Sequence, residues 1–179
     1  MEISHYLGRP TWADINLSHL ASNVREFRNF LPDTVKLLAV VKADAYGHGA
    51  CEVAEVALQE GASMLGVASL EEGAALRQRG IKSPILILGC TDPRQNLSLL
   101  EMQLTPTVFS WEAASSFSQQ AQARGKRAAI HVKIDTGMGR LGLADPQNTI
   151  DFLERVAALP GIILEGVYTH FAAADEKDK

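Results

Sequence analysis

Six short apolar runs, at residues 36–41, 63–67, 85–88, 107–109, 128–134 and 162–168, recur along this chain with helical patterns between them. Each is continuous or rich in β-branched residues rather than alternating, the pattern of strands buried on both faces of a parallel sheet. Residues 52–60 place Val53, Val56, Ala57 and Glu60 at helical spacing, and residues 70–79 do the same with Leu70, Ala74 and Leu76 before Gly80 closes the helix. Asp92-Pro93 is an N-cap followed by proline at the first helical position, and Ser110 precedes a helix from Trp111 that stops at Gly125. The last helix, 149–159, ends at Pro160-Gly161. Strand and helix alternating over short connections demand right-handed parallel crossovers, a demand that an open doubly wound sheet and a β/α barrel both satisfy. Residues 11–17 alternate Ala13, Ile15 and Leu17 against Trp12, Asp14 and Asn16, which reads as a separate half-buried strand ahead of the repeating unit.

At 179 residues with 46% hydrophobic content the chain can bury one sizeable core, so roughly one domain is expected. A net charge of -4 and a pI near 5.7 leave no basic stripe for nucleic acid or an anionic membrane surface, and a small-molecule site is the expectation. Residues 1–10 form a lead without an apolar core behind a basic start, and no window approaches the roughly 18 apolar residues of a membrane span. A cytoplasmic protein is expected. Cys51 and Cys90 form no Cys-x-x-Cys pair and have no histidine cluster at ligand spacing, so they read as buried or half-buried reduced thiols, with no metal. The chain has no internal repeat and no linker, and its tail 175–179 is all charge.

The chemistry concentrates just past strand ends. Lys42 closes the run Leu37-Leu38-Ala39-Val40-Val41 and opens Lys42-Ala43-Asp44-Ala45-Tyr46-Gly47-His48-Gly49. A lysine at such a junction sits half in a dry pocket, where burial disfavours an ammonium and a neutral amine can attack an aldehyde. The tract Asp135-Thr136-Gly137-Met138-Gly139-Arg140 follows the fifth run and Thr169-His170 the sixth. In barrels and open parallel sheets alike, the loops at that end converge on the ligand, so these groups can meet in space. Each residue also has a plain reading. Lys42 could be a solvated loop lysine, His170 a hydrogen-bonded histidine at the core edge, Tyr46 a packing residue with a wet hydroxyl, and Arg140 half of a surface salt bridge. His48 reads as loop geometry, Met138 as packing, and Gly137 and Gly139 as positive-φ positions. Lys133 stands apart, because a lysine inside a strand is costly to bury unless it is paired or neutralised.

The tracts Ala39-Val40-Val41-Lys42-Ala43-Asp44-Ala45-Tyr46-Gly47-His48-Gly49 and Lys133-Ile134-Asp135-Thr136-Gly137-Met138-Gly139-Arg140-Leu141-Gly142, with Val167-Tyr168-Thr169-His170-Phe171 behind them, resemble bacterial alanine racemase. The resemblance runs from about Thr11 to the last residue and rests on two long motifs in the right order. It implies a pyridoxal 5'-phosphate enzyme interconverting L-alanine and D-alanine, supplying D-alanine for peptidoglycan. Its N-terminal domain would be a TIM-type β/α barrel followed by a mostly β domain, working as a homodimer. The strand at 11–17 would belong to that β domain. By motif match Lys42 would hold the cofactor as a Schiff base and act as one base, and Tyr46 would bind the cofactor phosphate. Arg140 would touch the cofactor phenolate and the substrate carboxylate. Lys133 would be the position often carbamylated, its anion paired with Arg140, and His170 would help order the arginine under the pyridine ring.

The chain departs from the family in length. About six of eight β/α units are expected in residues 11–179, with the remaining strands and the β domain absent from this chain and supplied as a separate, complementary C-terminal fragment. The second base of the family, a tyrosine of the partner's β domain, has no counterpart among Tyr6, Tyr46 and Tyr168. By itself the chain is expected to be neither a stable barrel nor a racemase. A second reading is a non-catalytic pyridoxal-phosphate-binding or carrier module; a third is a plain doubly wound domain with an unrelated ligand.

Overall fold

A computed structural model describes residues 11–177. The expected lead, residues 1–10, and the last two residues of the charged tail lie outside that range. The elements run α1 (Leu17–Phe30), β1 (Leu37–Val40), α2 (Lys42–Gly47), α3 (Ala50–Gln59), β2 (Ala62–Val67), α4 (Leu70–Gln78) and β3 (Ile85–Ile87). After a 3₁₀ turn at Pro93–Gln95 come α5 (Asn96–Glu101), β4 (Thr105–Val108), α6 (Trp111–Ala123), β5 (Ala128–Lys133), α7 (Pro146–Ala157) and β6 (Ile162–Tyr168).

The six strands form one parallel sheet in the order β1-β2-β3-β4-β5-β6. That order decides what the hydrophobic pattern leaves open. A doubly wound sheet reverses its strand order at a switch point, whereas here every strand pairs with its neighbour in the chain, the winding of a β/α barrel. Among the described residues β1 and β6 are paired on one side only, and Val40, Ile163 and Val167 on these edge strands stay exposed.

Side-chain alternation separates a core from a cavity wall. Ile130 and Val132 of β5 are fully buried with Leu65 and Val67 of β2, Ile85 and Ile87 of β3 and Val108 of β4 against helix residues Ala54, Leu76, Leu99, Ala114, Phe117 and Val156. Burial of a ring such as that of Phe117 stabilises by about 3 kcal/mol. Leu38 and Val40 of β1, Leu86 of β3, and His131 and Lys133 of β5 face the cavity instead.

The helix signals act as their residue types dictate. Ser69 and Ser110 accept the third backbone N–H of α4 and α6, and Asp92 and Gln95 form a capping box around Pro93. Three sequence expectations are corrected. Helix α7 begins at Pro146, ahead of residue 149, because Asp145 caps it by accepting from Asn148 N–H at 2.7 Å and proline occupies the first turn. Strand β4 begins at Thr105, not at residue 107, and contains Pro106; it pairs with the short β3 through Leu86 with Thr105 and Ile87 with Pro106. Residues 11–16 form no strand: they are exposed and lie beside no partner among the described residues, and Leu17 already belongs to α1, capped by Asn16. A strand needs a ladder, and alternation alone does not supply one.

Cys51 is half-buried, as expected, but Cys90 is exposed, since it lies beyond β3 in the loop to the 3₁₀ turn. Both are free thiols. No helix among the described residues is long and apolar enough to cross a membrane, and no cluster of histidine, cysteine, aspartate or glutamate there could hold a metal ion.

Candidate active site

Lys42 leaves the end of β1 into a single left-handed turn. Ala43, Asp44, Ala45 and Tyr46 have φ between 50° and 57° and ψ between 36° and 49°. For residues with a Cβ this conformation costs about 1–2 kcal/mol each, so the turn exists only because other groups hold it. Ala45 N–H donates to Val41 C=O at 2.9 Å and Gly49 N–H to Asp44 C=O at 3.0 Å. The Asp44 carboxylate accepts from Ala50 N–H at 2.7 Å, and the Glu72 carboxylate accepts from Ala43 N–H at 2.8 Å. The turn carries Lys42, half-buried, and Tyr46, 62% exposed, to the same opening. His48 caps it, its ring Nδ1 2.9 Å from Ala45 C=O, the loop role read from sequence.

The second arm of the site is the loop after β5. Its base is closed by Leu143 N–H donating to Lys133 C=O at 3.0 Å and Asp135 N–H to Leu143 C=O at 2.9 Å. Inside it the Asp135 carboxylate accepts from the backbone N–H of Gly137, Gly139 and Arg140 at 2.9, 3.1 and 2.9 Å. The Gly137 and Gly139 amides hold that carboxyl below its ordinary range, outweighing the opposing effect of burial. Gly137 and Gly139 have φ of 123° and 67°, as expected of these glycines. The loop therefore fixes the Arg140 backbone while its guanidinium stays exposed, with no ion pair among the described residues. Met138 is exposed rather than packed, because it rides on the outside of this turn.

Gly142 makes the loop possible. At φ +122° an added Cβ would lie 2.7 Å from Asp135 N, 2.8 Å from Ile134 C and 3.0 Å from Lys133 O, all backbone atoms with nowhere to move. Gly142→Ala is expected to destabilise the fold by about 1–3 kcal/mol, measurable by urea denaturation. An unchanged midpoint would contradict this packing.

Lys133 is 4% exposed at the end of β5. Its ammonium lies 5.2 Å from the centre of the Tyr168 ring, and among the described residues no carboxylate comes within ion-pair distance. Burial lowers its pKa from the ordinary lysine value; Asp135 acts in the opposite sense and Arg140 reinforces burial. Of the two ways open to a buried lysine, pairing or neutralisation, pairing with an acid is not found among the described residues. Tyr168 and His131 are the wall residues that sequence reading missed. The Tyr168 hydroxyl is 2.8 Å from Thr107 Oγ1, burial raises its pKa, and its ring is tilted at 6.3 Å to His131, which pairs with Glu165 at 3.2 Å. The inward position of His131 follows from alternation with the buried Ile130 and Val132 of β5, whereas that of Tyr168, on β6, carries no such signal.

Lys42, Tyr46, Lys133, Arg140 and His170 all line one cavity of about 510 Å³, walled by Leu38, Leu86, Leu88 and Tyr168. His170 is exposed at its rim, with no hydrogen bond among the described residues, so the core-edge reading of this histidine fails.

The sequence model of the family described as alanine racemase, N-terminal domain, matches residues 15–179. The chain belongs to this family. Among similar proteins, the alanine racemase of Desulforamulus reducens is 47% identical over 170 residues, covering 95% of this chain and 46% of that protein. The alanine racemase of Methanococcus maripaludis is 41% identical over 173 residues, covering 97% of this chain and 46% of its own length. An alanine racemase structure from Clostridium difficile 630 in complex with cycloserine superposes with a TM-score of 0.91 at 42% identity, covering 96% of this chain and 47% of that one. The chain thus spans about half the length of the curated relatives it matches, and its six-stranded sheet is part of a TIM-type barrel. The family is pyridoxal 5'-phosphate dependent.

Proposed function

We propose that this chain is the cofactor-holding part of a racemase that interconverts the two enantiomers of alanine. The observation that carries the reading is the convergence of Lys42, Tyr46, Lys133, Arg140 and His170, from three separate loops and strand ends, on one cavity. Its size and its donors suit pyridoxal 5'-phosphate: an amine able to bond an aldehyde, a phenol to reach a phosphate, and a guanidinium fork for a phenolate or carboxylate. When bound, that cofactor supplies an electron sink for negative charge developing at an amino-acid α-carbon.

The remaining work falls to the protein. Lys42 holds the cofactor and exchanges the α-proton on one face as a general base and acid. Tyr46 anchors the phosphate from the left-handed turn. Arg140 orients the substrate carboxylate and transfers no proton, since a guanidinium stays charged near neutrality. Inversion needs a second proton-transfer group on the opposite face. Tyr168 does not suit that task, being held to Thr107 beneath Lys133. We assign the second base to residues outside this chain, in a β domain of a homodimer partner, so that activity requires the full assembly. Exchange of the alanine α-proton in heavy water, followed by NMR, tests the reading: it is expected with the complementary half present and not with residues 1–179 alone. Exchange by the isolated chain would refute the division of labour, and none by the assembly would refute the reaction.

Lys133 completes the proposal as a carbamate. Its lowered pKa populates the neutral amine at lower pH than for an ordinary lysine. That amine attacks carbon dioxide, forming an N–C bond and releasing a proton to solvent, and leaves an anion able to pair with Arg140. The modification is expected to be stable above the lowered pKa and to be lost as acid protonates the nitrogen and carbon dioxide departs. A carbon-13 signal after incubation with labelled bicarbonate, absent in Lys133→Ala, would support it. A wild-type protein without that signal would rule it out.

A further inference from the structure

Glu72 joins two elements far apart in sequence. One carboxylate oxygen accepts from Ala43 N–H at 2.8 Å and the other from Ala68 N–H at 2.7 Å. Ala43 follows Lys42 directly and opens the left-handed turn, while Ala68 follows β2 and lines the same cavity. The other bonds of the turn hold its middle and its end: Ala45 to Val41, Gly49 to Asp44, and Ala50 to the Asp44 side chain. At its first residue, where φ is 52° and ψ 49°, the Glu72 carboxylate is the acceptor for the N–H.

We infer that Glu72 is a positioning residue for Lys42, fixing through the Ala43 amide the left-handed turn that aims the lysine into the cavity. A charged acceptor suits this place, because its hydrogen bonds are stronger than neutral ones and must offset an unfavourable backbone conformation. The carboxylate comes from a rigid support. Helix α4 is capped by Ser69 and anchored by the buried Gly73 and Leu76 beside Glu72. Val41 N–H is bonded to Gly66 C=O on the N-terminal side of Lys42 and the Ala43 amide to Glu72 on its C-terminal side, so the Lys42 backbone is held from both directions. The role rests on the proposed function, which makes Lys42 the cofactor-holding group.

The test is Glu72→Gln in the intact protein, alone and with Ala43→Gly. Glutamine keeps the size but turns one acceptor into a donor facing an N–H, so one of the two bonds is lost in either orientation. Glycine at 43 removes the Cβ that penalises the left-handed region. E72Q is expected to weaken pyridoxal 5'-phosphate binding about tenfold, read from visible absorbance. It should also speed hydrogen exchange in residues 42–49 while leaving α6 unchanged. The double variant should recover part of the affinity, which a role confined to folding α4 would not allow. Wild-type affinity and exchange in E72Q, or a loss that A43G leaves untouched, would overturn the inference. A wild-type protein with no absorbance change and no borohydride label at Lys42 would overturn the proposed function and this role with it. Hydrogen exchange would then still show whether Glu72 holds the turn.

Discussion

Lys42→Ala is expected to abolish borohydride-trappable attachment of pyridoxal 5'-phosphate and to lower α-proton exchange by roughly 10²- to 10⁴-fold, the usual contribution of a general base. The fold should survive. Lys42 is half-buried and its side chain makes no hydrogen bond among the described residues, so its removal falls with surface substitutions, within about 0.5 kcal/mol. Two other lysines compete for the label, and geometry separates them. The Lys133 ammonium lies over the Tyr168 ring and the residue is 4% exposed. Lys36 borders a separate cavity with Ser63, Pro84 and Glu165 at the other end of the strands. Peptide mapping of the reduced adduct decides among the three, and a label on Lys133 or Lys36 would defeat the assignment.

Arg140→Lys separates charge from shape. The loop around Asp135 is held by the backbone N–H of residue 140, which lysine retains, so the loop and its stability should be unaffected. What disappears is the planar fork able to meet a carboxylate through two parallel bonds. Turnover is expected to fall about a hundredfold, the scale of a misplaced substrate, while the cofactor still binds. Steady-state kinetics beside a cofactor titration read both quantities. Kinetics equal to wild type would remove Arg140 from the site, and loss of the cofactor as well would show that it is an anchor rather than an aligner.

The element order was legible because the strand runs are short and continuous and the helices carry local punctuation. Ser69, Asp92 and Ser110 cap the helices they precede, and Gly80 and Gly125 take the left-handed conformations that end α4 and α6. Errors fell where a local signal conflicts with a longer-range one. Pro106 argues against a strand, yet β4 contains it, and alternation at residues 11–16 argues for a strand that has no ladder among the described residues. Lys42, Tyr46, Lys133, Arg140 and His170 were legible for a different reason. Lys133 ends β5, Lys42 and Tyr46 lie in the turn just beyond β1, Arg140 and His170 lie in the loops beyond β5 and β6, and a parallel sheet places all these ends on one side.

What the sequence by itself determined, then, is the alternation of strand and helix and the residue types at one end of the sheet, because hydrophobic period and caps act within a few residues. The choice of barrel winding over a doubly wound sheet belongs to tertiary structure, since the same local pattern fits both and only pairing between successive strands distinguishes them. So does the exposure of Lys133 to Tyr168 rather than to an acid, which depends on β5 and β6 lying side by side. The left-handed turn after Lys42 is the clearest case. No run of alanine, aspartate and tyrosine prefers φ near +50°; local backbone bonds and the Asp44 side chain hold its middle and end, and at its first residue Glu72, 29 residues away, reaches across to accept the Ala43 amide.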